Sequence, residues 1–162
     1  PTSLSLVKAE GLSGFSDFAL GTQYCKVVTN GNDDGIGSLR FAIAQCSNPE
    51  DYIYIAEFID SIFLVSDTII LDKNLSIFHS GNEKVVIQTT SSSPVFKTNP
   101  GVLITLNNIE IHSGGVASSK ALLNNGNTIL WNVDIINSIP GEIPVMNTGI
   151  LEISETVQIK NQ

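Results

Sequence analysis

The sequence predicts an all-β chain folded as a parallel β-helix (a solenoid), with a short capping helix near the N-terminus and a strand-like extension before it. Three observations carry this. One pattern is written three times: Leu106-Asn107-Asn108-Ile109-Glu110-Ile111, Leu130-Trp131-Asn132-Val133-Asp134-Ile135 and Ser154-Glu155-Thr156-Val157-Gln158-Ile159. Its apolar pairs Ile109/Ile111, Val133/Ile135 and Val157/Ile159 advance in equal steps of 24 residues. Each copy follows a turn glycine (Gly101, Gly126, Gly149), itself preceded by a short apolar step: Val95-Phe96, Leu122-Leu123 and Val145-Met146. A repeat of roughly 20–30 residues made of short strands cannot bury its apolar face alone and must stack on a copy of itself. An antiparallel sandwich would give strands every 8–12 residues or so, but not equal steps.

Strand alternation sets the sides. Ile109 and Ile111 face inward and Glu110 outward, and the next copies put Asp134 and Gln158 at the outward position. Asn108 and Asn132 fall at one corner. Asparagine tolerates left-handed backbone angles, and stacked asparagines can hydrogen-bond up a ladder.

Three segments follow in chain order. Residues 1–22 are an extension: Ser3–Val7 alternates like a strand, and Phe15 and Phe18 sit among small residues. The segment is too short for its own core, so Leu4, Leu6, Phe15, Phe18 and Leu20 are read as anchors onto another surface. Residues 23–50 read as a cap. Tyr24–Val28 is a strand, Asn30–Gly35 a turn-rich loop, and Ser38 N-caps a helix over Leu39–Cys46 whose Leu39, Ala42, Ile43 and Cys46 form one apolar stripe. Such a helix shields the first coil from edge pairing. Residues 51–162 are the coils, with early strands at Tyr52–Ala56, Ser61–Val65, Thr68–Leu71, Leu75–Phe78 and Val85–Gln88.

Composition bounds the function. Net charge is −8, with only eight Lys and Arg among 162 residues. The cations are scattered, so neither nucleic acid nor an anionic membrane surface is an expected partner. No apolar run reaches the ~18 residues of a membrane span, and no signal peptide heads the chain. The start at Pro1 is read as the loss of a leader or an upstream domain. Low charge and an all-β repeat point to an extracellular or cell-surface location.

The stretch Val28-Thr29-Asn30, then Gly37-Ser38-Leu39-Arg40-Phe41-Ala42-Ile43, then Tyr52-Ile53-Tyr54-Ile55 resembles the opening of secreted bacterial right-handed parallel β-helix proteins. These are the polymorphic outer-membrane proteins and related adhesin-like repeat proteins with a Ser-Leu-Arg-x-Ala-Ile motif. Phe41 and Tyr54 depart from the polar and aliphatic residues usual there. Gly14–Gly21 is similar to segments of large surface proteins of Bacteroidetes. The resemblance covers most of the chain, implies the fold and a secreted surface setting, and says little about activity.

The residues themselves offer little chemistry. Outward Glu110 and Asp134, with Gln158 above, form a column of acids with no Lys or Arg in the repeat pattern, and they read as a solvated face beside Glu152 and Glu155. Asn30, Asn32, Asp33 and Asp34 are oxygen donors at alternating spacing that suit calcium, but they lack a bidentate Glu and read better as a plain turn. His79-Ser80-Gly81 and His112-Ser113-Gly114 repeat one strand-end motif. The two histidines can meet on adjacent coils, yet turn capping is the stronger reading. Cys25 and Cys46 are the only cysteines. A disulfide between them closes a loop of about 20 residues, worth roughly 3 kcal/mol, and two buried thiols are the alternative. Trp131 either faces out, where it can stack on sugar, or packs into the corner.

The last copy runs to Gln162 with no polar cap. An uncapped solenoid end exposes its core and unpaired backbone and promotes association. The expectation is a non-enzymatic structural subunit that stacks on copies of itself head to tail, joining the residue 1–22 anchors to an end that includes Val157 and Ile159. A fragment of a large surface adhesin is the second reading. A carbohydrate-binding or polysaccharide-cleaving β-helix, with host or environmental glycans as partners, is the third.

Overall fold

The structure, a computed structural model, describes residues 26–47, 51–115, 119–154 and 156–161. Every strand pairing in it is parallel, and the strands stack as a β-solenoid of about 5 turns. The first wall holds β1 (Lys26–Val28), β2 (Asp51–Ile55), β5 (Leu75–His79), the leading halves of β8 (Leu103–Ser113) and β10 (Asn127–Asn137), and β12 (Ile150–Ile153). The second holds β3 (Ser61–Leu64), β6 (Val85–Thr89), the trailing halves of β8 and β10, and β13 (Gln158–Asn161). The third is β4 (Ile69–Leu71), β7 (Phe96–Thr98), β9 (Leu122–Asn124) and β11 (Val145–Asn147).

Alternation builds the core. In β5, Leu75, Ile77 and His79 are buried while Ser76 and Phe78 face outward. Parallel register then stacks like on like: Ile53, Ile77, Leu106 and Leu130 form one inward column, and Ile87, Ile111 and Ile135 another, all fully buried. Each such aliphatic side chain stabilises the fold by about 2 kcal/mol.

The 24-residue step is real and local. β10 lies on β8 at that offset, from Asn127↔Leu103 to Asn137↔Ser113. The final coil departs from it. Leu130 pairs with Ile153 and not with Ser154, whereas Ile135 pairs with Ile159, so that coil carries one more residue at its corner. The coil below β8 has a larger excess. Leu75 pairs with Ile104 but Val85 with Ile109, which leaves residues 80–84 as a bulged corner.

The corner asparagines behave as their chemistry requires. Asn108 and Asn132 have φ of 58° and 51°. Asn132 Nδ2 donates to Asn108 Oδ1 at 2.9 Å. Asn108 Nδ2 in turn donates to the carbonyls of His79 (3.1 Å) and Gly81 (2.8 Å), tying down the bulge. A second interior ladder, not anticipated, runs along the third wall: Thr98 donates to Asn124, and Asn124 Nδ2 to Asn147 Oδ1 at 2.7 Å. Stacked turns approach closely. A Cβ at Gly149 would lie 2.0 Å from the Gly126 carbonyl oxygen, so this position admits only glycine.

Helix α1 spans Leu39–Gln45, one residue shorter than expected. Ser38 accepts from the Phe41 amide as N-cap, and Leu39, Ala42 and Ile43 are buried in the common core. Lys73 Nζ donates to the carbonyls of Ile43 (3.1 Å) and Cys46 (2.7 Å), placing a cation at the negative end of the helix. Among the described residues no helix is long and apolar enough to cross a membrane.

Candidate functional site

The last described coil is built like the others, and among the described residues no strand stacks on it. Ile153 occupies the inward column above Leu130, and Ile159 that above Ile135. Leu130 and Ile135 are 0% exposed, whereas Ile153 is 52% and Ile159 45% exposed. Val145, Leu151 and Val157 are half-buried against the core on the same surface. Among the described residues β12 and β13 pair only with β10, and β11 only with β9, so three strand edges stay open. Asn147, the last member of the interior ladder, is exposed there too. Among the described residues this surface combines an apolar centre, open strand edges and the last member of an amide ladder.

Of the residues expected to drive association, Val157 and Ile159 lie on this surface. Leu4, Leu6, Phe15, Phe18 and Leu20 fall outside the described residues. Ile153 and Asn147 were missed: Ile153 because the extra corner residue shifts its register, Asn147 because an exposed Asn in a turn carries no signal by itself. Cys46 is buried and disulfide-bonded, and Cys25 lies outside the described residues.

At the opposite end, Asp33 and Arg40 organise the loop before the helix. Arg40 Nη2 lies 2.8 Å from Asp33 Oδ1 and also donates to the Asp67 carbonyl at 2.7 Å. Asp33 Oδ2 accepts from the amides of Val65 (3.2 Å) and Ser66 (2.7 Å) and from the Ser66 hydroxyl. Burial pushes the Asp33 carboxyl up, but the Ser66 and Arg40 hydrogen bonds and the Arg40 charge outweigh it and hold the group at about 2. Asp34 caps the Gly35 amide, and Asn30 accepts from the Asn32 amide and donates to the Ile36 carbonyl. The Asp33 oxygens are thus taken by Arg40, Val65 and Ser66, and the side-chain oxygens of Asn30 and Asp34 by amides of the loop itself. Among the described residues no group of three or more His, Cys, Asp or Glu could hold a metal ion.

The outward acids are not the bare column the repeat suggested. Lys84, from the bulged corner, lies 2.8 Å from Asp134, and His112 contacts Glu110 on the same strand. The Lys84 contact is an ion pair at a poor hydrogen-bonding angle, and Asp134 Oδ1 has no other partner. A polar notch of ≈ 370 Å³ opens between the bulge and these acids. The two histidines do not meet. His79 is buried at the end of β5 with Nδ1 against the Glu83 carbonyl, whereas His112 stands outward beside Gln88 on the next wall. Their shared tripeptide is a coincidence of two different strand ends. Gly81 serves His79 directly, since a Cβ there would fall 2.4 Å from the imidazole.

The geometry defines a parallel β-solenoid of about 5 turns. No family model, curated protein or solved structure matches the chain.

Proposed function

We propose that this chain is a non-enzymatic, extracellular structural β-helix that stacks end to end on copies of itself through its last coil. The observation that carries the reading is the inward column of that coil, which no described strand covers, with Ile153 and Ile159 half-exposed directly above fully buried neighbours. Open, flat, apolar strand edges pair with another chain unless something covers them. A head-to-tail contact of this kind is heterologous and propagates into a filament. The coil is right-handed, as parallel crossovers are in nearly all proteins, and α1 caps its first end. The disulfide-bonded Cys46 suits an oxidising compartment.

Electron microscopy of the purified chain, with and without residues 1–22, tests this. Filaments in the full chain that vanish on deletion support assembly through a donated segment. Filaments in both samples place the contact on the last coil alone, and single particles in both contradict the proposal.

A further inference from the structure

Among the described side chains, none at an outward position of the first wall is charged from Val27 on β1 through Trp131 on β10, although the chain has a net charge of −8 and half-buried Asp51 opens β2. Its outward side chains include Tyr52, Ser76, Phe78, Thr105, Asn107 and Trp131, and the first charge is Glu152 on β12. Tyr52 is 45% and Trp131 56% exposed. Tyr52 stands edge-on to Phe78, with ring centroids 6.5 Å apart. The side chains of Ser76, Thr105 and Asn107 make no hydrogen bond to any other described residue. A depression of ≈ 200 Å³ lies between Tyr52, Ser76, Leu103 and Thr105.

We infer that this face binds a neutral, extended polysaccharide lying along the solenoid axis. The apolar C–H faces of sugar rings stack on exposed aromatic rings, and their hydroxyls both donate to and accept from Ser, Thr and Asn side chains. Charge selects the ligand. A face without charge, on a chain this acidic, offers nothing to an anionic polymer and imposes no desolvation cost on a neutral one. Spacing fits as well. Strands advance by about 4.8 Å, close to the advance of one ring along an extended β-linked chain. Tyr52 heads the outward column Tyr52, Ser76, Thr105, Ile129, and Trp131 ends the neighbouring column Tyr54, Phe78, Asn107, Trp131. The two rings therefore stand three strands apart, about 14 Å along the axis and about 7 Å across it. A short run of sugar rings lies between them at a shallow angle to the axis, with Ser76, Thr105 and Asn107 beside it. The inference concerns a side wall and is independent of assembly at the open end.

Trp131 is the only tryptophan, so its fluorescence reports on the face. Full-length protein is titrated with cellohexaose, xylohexaose and mannohexaose, and with an oligogalacturonate as the anionic counterpart. The expected result is a saturable emission change with at least one neutral hexasaccharide and none with the anionic one. By calorimetry, Tyr52→Ala weakens that binding about tenfold, the equivalent of one lost aromatic contact. Thr105→Glu, which adds charge without removing packing, weakens it at least as much. No response to any neutral oligosaccharide at millimolar concentration overturns the inference, as does binding that neither variant changes. Emission of the free protein that shifts red in Phe15→Ser/Phe18→Ser also overturns it, since the chain's own N-terminal segment then covers the face. Emission that depends on protein concentration assigns the face to a second copy, with the same consequence.

Discussion

Replacing Asp33 by Asn tests how the first loop is held, and the cost follows from the carboxylate's surroundings. Val65, Ser66 and Arg40 all direct donors at Asp33. Burial raises its titration, but the Ser66 and Arg40 hydrogen bonds and the Arg40 charge outweigh burial and move it from 3.8 down to about 2. At about 1.4 kcal/mol per pH unit, that interval is worth about 2 kcal/mol of preference for the ionised form in the folded state. The side chain is only 8% exposed, so solvent screening removes little of it. Because the folded value is depressed, the stabilisation is complete above the unfolded value near 4 and is lost as the pH falls through about 2. Asn is neutral, like the protonated acid, and it turns an amide N–H toward Arg40. Asp33→Asn is therefore expected to destabilise by about 2 kcal/mol at pH 7, and the gap between the two proteins is expected to close between pH 4 and pH 2. Urea denaturation followed by circular dichroism, at pH steps from 2 to 7, measures the gap. Amide exchange at Val65 and Ser66 localises it. Equal stability at pH 7, or a gap that persists unchanged at pH 2, would refute the reasoning.

Three further outcomes are expected. Asn108→Ala removes the donors to the His79 and Gly81 carbonyls and leaves a β-carbon at φ 58°, costing about 2–4 kcal/mol in urea denaturation; Asn108→Gly relieves only the backbone part and should fall between. Gly149→Ala forces a β-carbon onto the Gly126 carbonyl and should loosen the last coil by about 1–3 kcal/mol, seen as faster amide exchange in Ile150–Ile153 with β5 unaffected. Ser38→Ala removes the acceptor for the Phe41 amide and should cost about 1 kcal/mol, measured by thermal denaturation.

Much of the fold was legible because its signals are periodic. Alternation at Ile109/Ile111 and its return at Val133/Ile135 fix the inward columns, and Asn108 and Asn132 mark the corner because few other residues adopt that backbone. The stripe Leu39, Ala42, Ile43 marks the helix. What escaped depends on coil length, which no single motif states. Lys84 reaches Asp134 only because residues 80–84 bulge at the corner, and Asp33 meets Ser66 across a separation of 33 residues. The extra residue between Ile153 and Gln158 likewise becomes visible only when both walls are laid on β10. The uncharged outer face is equally hidden. Tyr52, Ser76, Thr105 and Trp131 are scattered in sequence and come together only once the register is known.

Solution mass as a function of concentration addresses end-to-end stacking most directly. Light scattering behind size exclusion would compare the native chain with an Ile153→Lys/Ile159→Lys double variant, which places two charges on the uncovered column. The expected result is a native mass that climbs with concentration in multiples of 17.3 kDa, and a double variant that stays at one chain. A native chain that remains a monomer at every concentration, or a double variant that associates as the native chain does, would contradict it.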